Sequence, residues 1–471
     1  MNRVDLCIIG CGPAGMAAAA AASRQGLTVA VLDERPSAGG QIYRGLEDGP
    51  FRNDRSLGPD YSDGLQILSR FRAAHAQAFF GATIWRVDVA GDEGAVSFSM
   101  AGAPWRLAFS KLMLATGAME RPVAFEGWTL PGVMTVGGAQ LLLKSSGVVP
   151  MGRVVLAGNG PLLLLFACQL IAMGVRIAAI LDTAPKVGRL AVARRHLRSL
   201  LGNREKLFKG LRMMRAIRSA GIPVFRDVSA LAATGSARLT SLAFVAGGNT
   251  ARLDADMLLV HEGIIPNTQL SRALNCRHVW DEGEKAFRPE LDAFGESSIE
   301  NVFIVGDGAA IDGAVAAPAS AEIAVGRMLE QMGRADDRSR RMSAVAAATL
   351  GKERSFRGFL AALYPPRISV SRCLDETVVC RCEEVTAGSV RAALADGAIG
   401  PAQAKVFTRC GMGACQGRIC GSIVSHLIAA EKGEAIPDIG AYHVRFPLKP
   451  ITLSEMAAAT DKNDRGDAHV A

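Results

Sequence analysis

Aromatic side chains make up only 6% of this 471-residue sequence, and charged residues only 21%. So few aromatics argue against an all-β fold, whose strands draw heavily on them. An apolar fraction of 49% with so little charge excludes general disorder. Long apolar runs are also missing. The richest, Pro161 to Val175, is too short to span a bilayer and contains Gln169. The amino-terminal apolar stretch is interrupted by Asp5 and contains a glycine motif, so it reads as a core strand rather than a cleavable signal. Lys and Arg outnumber Asp and Glu by 53 to 45, but no basic block dominates either tail, which disfavours nucleic acid as the main partner. The seven histidines are scattered, and His261, beside Glu262, reads as structural. Cysteine is the exception to this scarcity. There are ten, six of them in the last hundred residues, and without an export signal that clustering favours metal over disulfides.

The front of the chain reads as a βαβ unit. Val4 to Gly10 is a buried-type strand, followed by Gly10-Cys11-Gly12-Pro13-Ala14-Gly15, an Ala-rich helix ended by Gly26, and a strand reaching Asp33-Glu34. Gly10 permits the tight turn, Gly12 lets backbone approach a pyrophosphate, and Gly15 lets helix and strand pack closely. The helix amino terminus stabilises the anion. Asp33 is in register for ribose hydroxyls, with Glu34 as the neighbouring option. A second copy begins near Arg153, with Gly158-Asn159-Gly160 in its turn and Asp182 closing its second strand. Two nucleotide-binding layers are the simplest inference. The second fingerprint is degraded, because Leu163 stands where the third glycine belongs. NAD(H) binding there is left open.

Ala115-Thr116-Gly117 ends a strand, and Gly306-Asp307-Gly308 follows another. Together with Pro36 to Arg44, which contains Gly39, Gly40 and Gln41, these motifs resemble those of the flavoproteins with two dinucleotide-binding domains. That resemblance implies FAD along the first domain, held by Gly10, Gly12, Pro13, Ala14, Gly15, Asp33 or Glu34, and Ala115-Thr116-Gly117. Gly39, Gly40 and Gln41 would approach the flavin, and Gly306-Asp307 the ribityl chain. Disulfide-reducing relatives of that fold need a redox cysteine pair beside the flavin. The sequence offers none: Cys168 and Cys276 stand singly, and Cys7 and Cys11, in the first strand and turn, read as small core residues.

The carboxy-terminal cysteines carry the strongest chemical signal. Cys380-Arg381-Cys382 precedes a short helix capped near Thr386, and Cys415 and Cys420 follow in Cys410-Gly411-Met412-Gly413-Ala414-Cys415-Gln416-Gly417-Arg418-Ile419-Cys420. Four thiolates in two close pairs suit Zn²⁺ or an iron–sulfur cluster, and a C-x-C start argues against common zinc ribbons. The layout resembles the [2Fe-2S] domain of bacterioferritin-associated ferredoxin, with C-x₄-C in place of the usual closing C-x₂-C. Cys380, Cys382, Cys415 and Cys420 are the expected ligands, and Cys410 is a rival. Arg381, Arg409 and Arg418 would offset an anionic cluster. Between Lys186 and Arg218 lie eleven Lys/Arg and one acid, which read as a solvated cationic face or a docking face.

The whole chain resembles the α subunit of heteromeric amine and imino-acid dehydrogenases. Opine oxidases, hydrogen cyanide synthase and hydroxyproline dehydrogenases belong to that family. The fold implied is α/β, with two Rossmann-like βαβ domains, one inserted in the other, and a small, mainly helical [2Fe-2S] domain. The FAD domain is expected at 1–150 and 286–330, the NAD(P)-like domain at 151–285, a helical connector at 331–372, the [2Fe-2S] domain at 373–440 and a tail at 441–471. The resemblance implies an electron-transfer subunit with no catalytic acid or base of its own. A flavoprotein β subunit would oxidise the C–N bond, a small third subunit could join, and a respiratory or quinone acceptor would take the electrons. It also implies a cytoplasmic protein, peripheral at the inner membrane through that acceptor. The alternatives are a stand-alone NADH-dependent reductase and an iron–sulfur sensor or adaptor.

Overall fold

The computed structural model describes residues 3–464, except 53, 55, 92, 186–187 and 368–372. Strand β1 (Arg3–Ile9), helix α1 (Pro13–Arg24) and strand β2 (Val29–Asp33) form the first βαβ unit, with the strands parallel and Leu6 opposite Val29. Pro13 stands in the first turn of α1, where its missing N–H costs nothing. Ala17 to Ala22 are all buried. Their small side chains let α1 lie close against the helix Ala316–Gln331 on the same face of the sheet.

The first sheet has seven strands. Gln77–Phe80, β2, β1 and Ala103–Leu114 run parallel, with Val302–Ile304 paired on Ala103–Leu114, and two antiparallel strands, Thr83–Ala90 and Glu93–Met100, extend that edge. The second sheet contains Val224–Arg226, Ile177–Asp182, Val154–Gly158, Met257–His261 and Val133–Thr135, all parallel. A three-stranded antiparallel sheet, Val228–Thr234, Ser241–Ala246 and Asn249–Asp254, covers it through a core that includes Phe244, Leu242 and Leu258. One unit is thus inserted in the other. The strand Val133–Thr135 pairs within the inserted layer, so the boundary expected at 150 falls inside that layer. The two crossings meet where Ala118–Glu120 pairs antiparallel with Ile264–Pro266.

The helix Asp337–Leu363 occupies most of the expected connector, started by a capping box between Asp336 and Ser339. The connector's last residues, 368–372, lie outside the described part. The cysteine module follows as a short hairpin, Val378–Cys380 with Val385–Thr386, and helices Ala387–Ala395, Pro401–Thr408 and Cys420–Lys432. Val379, Val390, Ile423, Val424 and Leu427 form its core. The tail then returns to the first sheet: Leu448 N–H donates to Trp85 O, and Leu453–Asp464 lies against the strand Ala103–Leu114. No helix among the described residues is long and apolar enough to cross a membrane.

Candidate functional site: two glycine turns and a thiol cluster

The first glycine turn, Ala115-Thr116-Gly117 and Gly306-Asp307 all stand at the carboxyl ends of adjacent parallel strands. Nucleotides bind at this edge in open α/β sheets. Gly10 has φ +107°, and a Cβ there would come within 2.3 Å of Ala115 O, while one on Gly15 would lie 1.9 Å from Gly10 O. Both positions therefore exclude side chains, and a Cβ on Gly40 would meet Gly12 Cα at 2.8 Å. Gln41 Nε2 donates to Ala118 O at 2.9 Å, which ties the Gly39-Gly40-Gln41 loop to the far side of the same edge. Pro13 and Ala14 are buried at the start of α1.

The two candidate acids differ. Asp33 accepts from Cys11 N–H (2.6 Å) and Arg35 N–H (2.8 Å), so its carboxylate braces the glycine loop, and burial raises its pKa. Glu34 is exposed and bonded to Lys449 at 2.6 Å. Burial would raise the Glu34 pKa, but the Lys449 ammonium prevails and lowers it. Asp307 accepts from Gly313 N–H at 2.9 Å, and burial raises its pKa. Lys144, which the sequence did not single out, donates to Ile42 O beneath the loop, and burial lowers its pKa to about 8. Cys7 and Cys11 are buried thiols pushed far up by desolvation, as befits core residues.

The second turn differs. Gly158 has φ +135°, and a Cβ there would meet His261 O at 1.8 Å, so the turn itself is intact. Its mouth is lined by the chain itself. Asn159 Nδ2 donates to Glu262 Oε2 (3.2 Å) and to Pro365 O (3.3 Å). Thr183 Oγ1 donates to Glu262 Oε1 at 2.5 Å, and Arg367 N–H donates to Glu262 Oε2 at 3.1 Å. Arg367 Nη1 also reaches Asp227 Oδ1 and Val228 O, both at 3.0 Å. Burial pushes the Glu262 carboxyl up to about 7, against these donors. Leu163 is buried in the core, in keeping with the lost third glycine.

In the cysteine module a Cβ on Gly413 would lie 2.3 Å from Cys382 Cβ, so glycine is what lets the Cys380–Cys382 turn seat against the 410–420 loop. Cys380 faces Cys420, and Cys382 faces Cys415. The four expected ligands thus form two facing pairs, each drawing one thiol from either segment. Cys410 joins them: the sulfurs of Cys380, Cys410 and Cys420 all lie within 4.8 Å of one another. The Cys420 thiol and the backbone N–H groups of Gly411, Glu383 and Cys382 draw the Cys380 thiol down to about 5, against its burial. Among the described residues, Cys380, Cys410 and Cys420 form the trio that could share one ion, with the Cys382–Cys415 pair outside it, and thiol donors of this kind fit a soft metal centre. Of the three arginines, Arg381 stacks on Trp128 at 5.4 Å, Arg409 pairs with Glu383 at 3.0 Å, and Arg418 Nε is buried with no partner among the described residues.

One line of contacts joins the two centres. Thr116 Oγ1 donates to Asn267 O at 3.2 Å, and Asn267 N–H donates to Gly117 O at 3.0 Å. Two residues on, Gln269 Nε2 donates to Gln416 O at 2.9 Å, next to Cys415.

Residues 4–327 match the pyridine nucleotide-disulphide oxidoreductase family, and residues 375–460 match the sarcosine oxidase A3 domain. The A chain of opine oxidase from Rhizobium meliloti (strain 1021) is 40% identical over 97% of this chain and 99% of its own length. The chain belongs to the family of the opine oxidase A subunits. Hydrogen cyanide synthase subunit HcnB of Pseudomonas aeruginosa is 35% identical, covering 95% of this chain and 97% of that protein. Among solved structures, L-proline dehydrogenase from P. horikoshii superposes with a TM-score of 0.70 at 18% identity, covering 97% of this chain and 80% of that one. Membership makes this chain an oxidoreductase with a flavin-binding dinucleotide fold. Both relatives are named as subunits.

Proposed function

We propose that this chain is the electron-transfer subunit of a heteromeric dehydrogenase or oxidase acting on the C–N bond of an opine, imino acid or amino acid. FAD would lie along the first glycine turn, and a [2Fe-2S] cluster would be held by Cys380, Cys382, Cys415 and Cys420. A partner flavoprotein β subunit would oxidise the amine, a small polypeptide would be the third member, and a respiratory or quinone acceptor would lie downstream. The reading places the protein in the cytoplasm, at most peripheral to the inner membrane. A flavin accepts electrons in pairs and releases them singly, and a [2Fe-2S] centre carries one at a time. This chain's residues would then hold and orient the two groups: the glycine turns seat the nucleotide, Asp33 braces the loop, and Gly413 admits the Cys382 turn.

The observation that supports this reading is the line of contacts from Ala115-Thr116-Gly117 through Asn267 and Gln269 to Gln416, which brings the thiol loop to the strand edge where the flavin would lie. The NADH-reductase alternative meets Pro365 and Arg367 at the second turn, where a nicotinamide nucleotide would have to enter. A sensor or adaptor would not need a complete first fingerprint. Anaerobic mixing decides among these. Flavin and iron–sulfur absorption should persist with NADH and bleach when an opine or imino acid is added together with the β subunit. Prompt bleaching by NADH alone would establish the reductase instead.

A further inference from the structure

Tyr442 belongs to none of the motifs above, yet the thiol loop is built around it. Its side chain is 6% exposed. A Cβ on Gly411 or on Gly417 would lie 2.9 Å or 2.7 Å from its ring, and one on Gly421 would lie 3.3 Å away. Three glycines in eleven residues thus make room for one aromatic ring, and two of them, with φ of +87° and +76°, also need backbone that other residues avoid. The ring alone could be core packing. The hydroxyl is harder to dismiss, because Tyr442 Oη is buried with no hydrogen-bond partner among the described residues, and an orphaned buried polar group costs free energy. The groups within interacting reach are the thiols of Cys410 and Cys420. A phenol at neutral pH has one hydrogen to donate, and a thiolate sulfur would accept it.

We propose that Tyr442 donates its hydroxyl hydrogen to a thiolate of the Cys410–Cys420 pair and thereby raises the reduction potential of the metal centre. This rests on the thiolate-bound centre proposed above. A hydrogen bond to a ligating sulfur withdraws electron density from the centre and favours its more negative, reduced state. Tyr442 is a positioning residue: it acts through the sulfur that accepts its hydrogen. Both thiols belong to the buried trio, with Cys380, whose sulfurs lie within 4.8 Å of one another.

The test is Tyr442→Phe in the full-length, cofactor-loaded chain, which keeps the ring among its glycines and removes only the hydroxyl. Iron content, the midpoint potential of the centre, and proton coupling to the reduced centre in H₂O and D₂O would be compared with wild type. The expected result is unchanged iron, a lower midpoint potential, and loss of one exchangeable proton coupling that wild type shows. Full iron in both proteins with equal potentials would overturn the proposal while leaving the metal centre standing. Iron lost from the variant alone would also overturn it, because a tuning hydroxyl is dispensable for assembly. Absence of iron from both would remove the metal centre itself, and the proposal with it.

Discussion

Single residues in this protein are set by what surrounds them more than by their motif. Asp33 stands where the fingerprint places a ribose acid, yet both its oxygens are taken by loop N–H groups, and Glu34 is the acid that faces outward. Sequence spacing could find the pair but not divide the roles, since both residues end the same strand. Glu262 offered no signal beyond its position next to His261. Its folded-state pKa of about 7 lies above the ordinary 4.5, so the fold favours the neutral acid. That stability is fully present below about pH 4.5 and is lost as pH rises through about 7. At 1.36 kcal/mol per unit the loss is on the order of 3 kcal/mol. Thermal or denaturant unfolding between about pH 5 and about pH 8 should show wild type losing stability relative to Glu262→Gln as pH rises. Parallel profiles would contradict the buried, mostly neutral carboxyl.

At the level of elements, the local βαβ units were legible because each is short and carries its punctuation in sequence: Gly10 to Asp33 and Gly158 to Asp182. The edge strand Val133–Thr135 was not, because three residues pair with Met257–His261 far along the chain and carry no pattern of their own. The Pro365–Arg367 segment was likewise invisible, since nothing in its composition reveals that it meets Asn159 and Glu262. The joint between the cysteine module and the inserted layer depends on Trp128, whose Nε1–H donates to Val378 O at 2.6 Å and whose ring carries Arg381. Trp128→Phe keeps most of the apolar contact but removes that donor, at a cost of about 1–2 kcal/mol. Hydrogen exchange or limited proteolysis should show residues 373–440 opening sooner in the variant, with the first sheet unchanged. Equal protection in both proteins would mean that the joint is held elsewhere.

Across the whole molecule, three sequence-distant segments converge where the cofactors would sit. The first sheet presents its glycine turn, the crossing strands Ala118–Glu120 and Ile264–Pro266 bring Asn267 and Gln269 alongside, and the cysteine loop lies against Gln269. Sequence singled out the glycine turn and the cysteine loop, because each chemistry needs particular residue types at close spacing, but not Asn267 or Gln269. It could not supply their adjacency, nor the entry of Cys410 among the thiols, which depends on how the helix Cys420–Lys432 packs. The proposed function requires one chain to carry a flavin and a thiolate-bound [2Fe-2S] cluster together. It is tested most directly by quantifying flavin, iron and acid-labile sulfide in the anaerobically purified chain, with EPR after reduction. One flavin with two iron and two sulfide per chain is expected, the iron signal disappearing in Cys380→Ser while flavin stays. Zinc in place of iron, or iron retained without Cys380, would contradict it.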